Sequence, residues 1–423
     1  MASKKASKKA VKRTKKAAKK HPIAFVVVVI ILILAIGAGT VMYLKVDRVH
    51  TAVNDLLFNE GGTTVNGGEN SLGGNGGSSG NSGGAEVPKA TTYGDNDLSF
   101  HFLELGNNYT GDSTYIKAGD VDILIDAGSR QNSADAIANY VDNYCTDGKL
   151  EYVIATHAHQ DHIAGFTDTG TRDGIFKRYE CGVIIDFART NATSAVYNNY
   201  VAARDAEIAA GATHYTALDC CNETNGAKKT YELGEGMTMT ILYQRFYEEN
   251  SGDENNYSVC VLFNHGDNYY LLTGDLEAEG EASLVENNAL PEVQLFKAGH
   301  HGSYTASTNA LLSAIKPKIV CVCCCAGAVE YTKTKNNHTF PAQEFIDRVA
   351  PYTTCVYVTT LGFVEYNETK GKYEDTGYAS MNGVITVLSS GGEVTVTCSN
   401  NDTLLKDTDW FKENRTCPAA WSS

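Results

Sequence analysis

Apolar residues occur along this chain in two kinds of run. The first, "IAFVVVVIILILAIGAGTVMYL" from Ile23 to Leu44, is continuous: 22 residues without a charge. At about 1.5 Å per residue it makes roughly 33 Å of helix, enough to cross a bilayer. The second kind starts near Asp97, where short apolar runs are broken by turn residues. "LSFHFLELG" and "STYIKAGDVDILIDAGS" predict strands and a hairpin-like turn ending in Asp126 and Gly128, "SADAIANYVDNYC" predicts a helix, and "YVIAT" predicts a third strand. Strand, helix, strand and polar loop open a layered α/β domain, with the loop at the carboxyl end of a buried strand, where such folds place chemistry.

Between the two kinds of run, residues 61–84 hold 11 glycines in 24 positions and no apolar period, so they cannot bury enough surface to fold. The predicted organisation is a basic tail (1–22), a transmembrane helix (23–44), a juxtamembrane and Gly/Asn/Ser-rich linker (45–96), a folded domain (97–400) and a C-terminal tail (401–423). An apolar run of this length exceeds the core of a cleavable signal peptide, which favours an uncleaved anchor; the small residues Gly37, Ala38 and Gly39 leave cleavage as the alternative.

Charge sets the orientation. Residues 1–20 carry ten Lys and Arg and no acid, whereas the other flank of the span offers only Lys45 and Arg48. Positive-inside bias places the N-terminus in the cytoplasm and everything after Leu44 outside a single-pass cell membrane anchor. Beyond residue 50 the chain holds 23 bases against 49 acids, a balance that repels polyanions unless bound metal or a local patch offsets it. Twelve cysteines permit disulfides outside the cell, but a domain of this size does not need them. In "IVCVCCCAG", strand alternation sends Cys321, Cys323 and Cys325 to one face and Cys324 to the other, so Cys321 and Cys324 do not converge on a metal.

The candidate chemistry lies in "THAHQDHIAG", which puts His157, His159, Asp161 and His162 within six positions. On an extended segment His157 and His159 face one side, and Asp161 and His162 follow as the chain turns. Neutral imidazole and carboxylate suit zinc, manganese or iron. Further ligands are expected at other strand ends: Asp275 in "YYLLTGDLE", and His300 and His301 in "VQLFKAGHHGS".

Taken in order, "LELG", "LIDAG", "THAHQDHIAG", "LLTGDLE" and "KAGHHGS" resemble the metallo-β-lactamase fold hydrolases. The branch they resemble includes the hydrolase domain of competence DNA-uptake channels and surface phosphorylcholine esterases. The resemblance spans roughly residues 97–400. "NNHTFPAQEFIDRV", with His338 and Pro341, is similar to the end of that branch, and His338 is taken as a supporting residue. The resemblance implies a four-layer αββα sandwich and a site for two divalent metal ions. His157 and His159 would hold the first ion, Asp161 and His162 the second, and Asp275 would bridge. His301 would add a ligand, with His300 beside it to ligate or to touch substrate, and Asp126 would support the ligand loop from beneath.

Many relatives place another histidine between the loop and the bridging aspartate. Here only His214 and His265 fall in that interval. "SVCVLFNHGDNYYLLTGD" reads as a hairpin with His265 at its tip, roughly 25 Å from Asp275 and out of reach. His214 is open between surface, pocket rim and ligand. The hairpin brings Asn255, Asn256 and Ser258 near the missing ligand's place, with Asn256 a candidate for catalysis and Ser258 for support.

The expected activity is metal-dependent hydrolysis by a hydroxide generated on a bound cation. "GHHGS" resembles the phosphoester-cleaving members, so the expected substrate is a phosphoester in a small molecule or envelope polymer. An exterior nuclease and a non-catalytic binding module are the alternatives; nucleic acid is disfavoured by the acidic charge, and nothing in the sequence points to a protein partner.

Overall fold

A computed structural model describes residues 93–422. The basic tail, the 23–44 span and nearly all of the linker lie outside the described residues; among the described residues no helix is long and apolar enough to cross a membrane.

In chain order the first eight strands are β1 Leu98–Phe102, β2 Thr114–Ala118, β3 Val121–Ile125, β4 Lys149–Ala155, β5 Glu180–Asp186, β6 Thr213–Thr216, β7 Thr230–Gly234 and β8 Met237–Leu242. The remainder are β9 Cys260–His265, β10 Asn268–Leu272, β11 Leu295–Lys297, β12 Ile319–Ala326, β13 Val356–Asn367, β14 Lys372–Ser380, β15 Ile385–Ser390 and β16 Glu393–Cys398. They form two eight-stranded sheets, in the orders β16-β15-β1-β2-β3-β4-β5-β6 and β14-β13-β12-β11-β10-β9-β8-β7. Strands β3 to β6 run parallel, as do β10 to β13, and the flanking strands are antiparallel.

The two sheets meet in one core, where Phe100 of β1 packs on Phe263 and Tyr270 of the other sheet with ring centroids 5.3 and 4.8 Å apart. Ile123, Leu124 and Ile125 are all buried because helix Ser133–Val141 and its neighbours cover the strand's second face; parallel strands covered on both sides read as unbroken apolar runs. A second core lies under helices Ala278–Asn287, Asn309–Ile315 and Gln343–Val349. The stretch read from sequence as a tail is packed there too: Leu405, Phe411 and Trp421 are buried, and Trp421 Nε1 donates to Thr353 O at 2.8 Å.

The cysteine strand places Cys321 and Cys323 in the core between the sheets and Cys324 in the outer one, as its pattern predicts; a register shift between Val322 and Cys325 breaks the alternation there, and the Cys325 thiol donates to Asn107 O. All twelve cysteines are free and only Cys417 is fully exposed. Titration with a thiol reagent without reductant is therefore expected to count twelve thiols in denaturant, and rapid reaction of about one in the native chain. A denatured count of ten or fewer would reveal a disulfide.

Candidate metal centre

Asp126, the His157–His162 loop, Asp275, His300 and His301 each follow the carboxyl end of a parallel strand (β3, β4, β10 and β11), so the two sheets deliver those ends to one place. After β3 the chain turns at Asp126, whose φ of 61° is left-handed. This strained conformation is held by what it enables. Asp126 Oδ1 accepts from Thr156 N, and Oδ2 from Thr156 Oγ1 and His162 Nδ1, at 2.8, 2.8 and 2.7 Å. Left-handed non-glycine residues cost roughly 1–3 kcal/mol each. His300 and His301, at φ 45° and 54°, share that conformation, so strain concentrates here.

After β4, His157 and His159 face each other, with Nε2 and Nδ1 3.0 Å apart. The short helix Gln160–Ile163 then turns Asp161 and His162 inward. His162 Nδ1 is occupied by Asp126, which leaves Nε2 3.0 Å from Asp275 Oδ2. His301 is built in the same way: Nδ1 donates to Cys323 O at 2.9 Å, and Nε2 lies 3.1 Å from Asp275 Oδ2 and 3.3 Å from Asp161 Oδ2. Fixing one ring nitrogen aims the other, a common support for metal-binding histidine. Asp275 follows β10 through Gly274, whose φ is +54° and where a Cβ would come within 2.9 Å of Thr156 Cβ and 3.0 Å of Ser258 Oγ. Ser258 Oγ accepts from Asp275 N at 3.1 Å.

The arrangement fits a divalent cation. Asp275 Oδ1 and His301 Nε2 are buried without a hydrogen-bond partner, an expensive state unless something else satisfies them. Ligand atoms in a tetrahedral zinc shell stand about 3.3 Å apart, given bonds near 2.0–2.1 Å. The His162–Asp275, His301–Asp275 and His301–Asp161 separations of 3.0, 3.1 and 3.3 Å lie close to that spacing, as does the His157–His159 pair. Asp112, His162, Asp275 and His301 also lie within 4.8 Å of one another by their nearest ligand atoms. Asp112, however, meets the Nδ1 edges of His301 (3.2 Å) and His162 (3.9 Å), behind the rings rather than among the inward atoms. Asp161 therefore completes the inward set better than Asp112 does.

Three contributors escaped the sequence reading. Asp112 follows Gly111, where a Cβ would come within 2.8 Å of Asp161 O, and Asp112 N donates to that same carbonyl at 3.1 Å. A Gly-Asp pair before a strand was its only sequence signal. Lys297, the single charge ending apolar β11, is buried, ion-paired with Asp112, 3.6 Å from Asp275 Oδ1, and donates to Gly274 O at 3.1 Å. Tyr331 reaches in from a loop and donates its hydroxyl to Asp161 Oδ2.

Other predicted residues sit elsewhere. His300 turns away from the cluster, with Nδ1 2.9 Å from Glu277 Oε1 and 3.1 Å from Thr305 Oγ1. Asn256 is occupied locally, its side chain accepting from Glu277 N and donating to Ser251 Oγ, both at 3.3 Å. His338 pairs with Glu344 at 3.4 Å and packs on Tyr304, apart from the cluster. His214, on β6, meets Asp186 at 2.8 Å beside Tyr200 and Arg204. His265 ends β9 and meets Ser389 Oγ at 2.9 Å, at the opposite end of the hairpin from Ser258.

Without a cation, charge in the centre is balanced by protons. Burial alone would lower the His162 and His301 rings, but the carboxylates override it, Asp275 foremost with Asp126 beside His162 and Asp112 beside His301, and both rings titrate well above the usual histidine range. Burial opposes ionisation of Asp161 and Asp275, yet the neighbouring imidazolium groups hold both carboxyls low. Burial, then His162 and His159, pushes His157 down, while burial raises Asp126 despite its contact with His162.

The model of the metallo-beta-lactamase superfamily matches residues 106–168, which include Asp112, Asp126 and the His157–His162 loop. Among curated relatives, "Recombination protein 2" of Haemophilus influenzae is 30% identical over 108 residues, 26% of this chain and 12% of the relative. "ComE operon protein 3" of Bacillus subtilis is 24% identical over 176 residues, 40% of this chain and 19% of the relative. The chain thus spans about a fifth or less of those relatives' length. Among solved structures, the metallo-beta-lactamase fold protein YhfI from Bacillus subtilis aligns with 62% of this chain and 95% of its own, at 11% identity and a TM-score of 0.33. The family model thus marks residues 106–168 as similar to the metallo-beta-lactamase superfamily, and the two mixed sheets are consistent with that fold.

Proposed function

We propose that the domain is a metal-dependent phosphoester hydrolase held outside the membrane by the 23–44 anchor, acting on small molecules or short envelope polymers. The observation that carries this reading is the convergence of His162, His301, Asp161 and Asp275, each histidine with its outer nitrogen committed to a support and its inner one turned to the carboxylates among which a cation would sit. His157 and His159 would hold a second ion; zinc suits this donor set, with manganese or iron as substitutes. Bound divalent ions supply Lewis acidity and a water acidic enough to ionise near neutral pH.

The chain's own groups do the rest. Asp126 and the Cys323 carbonyl orient the rings, Ser258 and Lys297 hold the Asp275 segment, and Tyr331 holds Asp161. Two nucleophile candidates among the described residues, the cysteines of β12 and the Ser99–His101 pair, are unsuited to the role. Burial holds the Cys321, Cys323 and Cys325 thiols well above the ordinary range, and the hydrogen-bonded Ser99–His101 pair is wholly buried in the core.

The acidic balance after residue 50 disfavours grip on a long polyanion. Metal-loaded full-length chain is expected to hydrolyse a nitrophenyl phosphodiester with a rate changing only a few-fold between low and physiological salt, and to cut long DNA poorly. Duplex binding by a protein neutralising many phosphates would instead fall by about 0.9 log units per phosphate for each tenfold rise in salt. Efficient, steeply salt-sensitive DNA cleavage without turnover of the small ester would replace this reading with a nuclease.

A further inference from the structure

Beside the metal centre lies a cavity of about 310 Å³ lined by His300, Ser303, Tyr304, Thr305, Tyr331, Thr332, Asn336, His338 and Phe340. We propose that this cavity receives the organic group esterified to the phosphorus, and that it selects a planar, uncharged ring bearing hydrogen-bonding groups. The proposal deepens the hydrolase reading and rests on it for the phosphate.

The wall of the cavity is continuous with the metal centre. Tyr331 lines the cavity and donates its hydroxyl to Asp161, so a group lying against its ring is next to a candidate ligand. The rings also form a chain outward from the cluster. His301 stacks on Phe340 with centroids 6.0 Å apart and planes 30° from parallel, and Phe340 stacks on Tyr331 at 5.4 Å and 30°. Opposing them, Tyr304 packs on His338 at 4.6 Å.

The lining decides the ligand's chemistry. Five of its residues are Tyr, Phe or His rings outside the metal cluster, the other four offer hydroxyls and an amide, and none is Asp, Glu, Lys or Arg. A phosphate has no lysine or arginine to pair with there, and a free carboxylate would lose hydration without a counterion. A flat ring finds faces to stack on and polar groups for its edge. Tyr304 is 50% exposed and Tyr331 43%, although Tyr331 turns its hydroxyl inward; folding does not require such open rings. The volume lies at the small end of ligand pockets, roughly 300–1,000 Å³, which admits one ring system and not a polymer strand.

A nucleobase and a simple aromatic alcohol share this chemistry. The test titrates the metal-free full-length chain with thymidine, phenol, glucose and tetramethylammonium, none of which carries a phosphate. Thymidine and phenol are expected to bind in the millimolar range, with Tyr304→Ala weakening both by about tenfold and Tyr304→Trp restoring them. Preference for thymidine points to a nucleobase, and equal or better binding of phenol to an aromatic alcohol. Absence of ring binding, indifference to Tyr304→Ala, or preference for glucose or tetramethylammonium overturns the proposal. Phosphodiester turnover is measured on the same preparation after metal loading. Ring binding without turnover keeps the subsite and discards the hydrolase; turnover without ring binding does the reverse.

Discussion

Asp275→Ala is expected to lower hydrolysis by roughly a thousandfold or more and to strip bound metal, the largest effect of any single change in the domain. Asp275 Oδ2 lies 3.0 Å from His162 Nε2 and 3.1 Å from His301 Nε2, and Lys297 stands 3.6 Å from the other oxygen. Removing the carboxylate deletes the group shared by both rings and approached by Lys297, and leaves their buried positive charge to Asp112, Asp126 and Asp161 alone. Breaking a buried ion pair from one side costs about 3–5 kcal/mol, so the metal-free variant should also unfold at lower denaturant. His159→Ala should lose metal and activity without that stability cost, because its ring is partly exposed and no carboxylate depends on it. His265→Ala should do neither, since its ring meets Ser389 at the far end of the hairpin. Metal analysis, turnover and urea unfolding on the three variants separate these outcomes. Stripping of metal by His265→Ala would overturn the assignment of the site.

Removing metal is expected to make stability strongly dependent on pH. In the cation-free centre His162 and His301 titrate well above the ordinary histidine value of 6.5. The stability they contribute is complete below about pH 6.5, where the unfolded rings are protonated too, and is lost as pH rises through the folded values. Asp161, Asp275 and Asp112 titrate below 3.8, so their contribution is present above about pH 4 and lost as pH falls through their folded values. Because His157 is held low and therefore costs stability as pH falls below 6.5, the metal-free chain should be most stable near pH 6.5 and decline on the alkaline side, by up to about 1.4 kcal/mol per raised ring for each step of one in pH. A bound cation takes over the charge of the imidazolium groups, and the alkaline decline should vanish. Urea unfolding at pH 5, 7 and 9, with and without zinc, measures this. A metal-free midpoint that stays level from pH 5 to 9 would show that both rings are neutral in the absence of metal.

Much of the site was legible because its residues cluster along the chain. His157, His159, Asp161 and His162 share one loop, and Asp275 and His301 each follow an apolar strand, a position that period and turn signals reveal. The placement of His265 was legible for a similar reason: the strands on either side of it pair residue by residue, so its distance from Asp275 follows from counting. Asp112 and Lys297 were not legible, since one is an aspartate in a turn and the other a lysine at a strand end, both ordinary in isolation.

By itself the sequence determined the opening strands and helix of the domain, the hairpin that ends at Asp275, the continuous apolar run at 23–44, the acidic balance beyond residue 50 and the loop of candidate metal ligands. These are local properties, set by periodicity and composition over a few residues. Tertiary structure alone decided which of two adjacent histidines faces the cluster. His301 turns inward because its Nδ1 finds the Cys323 carbonyl, while His300 is drawn off by Glu277. It also decided that Asn256 is occupied by its neighbours, that Leu405, Phe411 and Trp421 belong to the core, and that Tyr331 meets Asp161 from 170 residues away. Each of these depends on a contact between segments remote in sequence, and the direction of a side chain there is set by whichever partner the fold brings within hydrogen-bonding or packing distance.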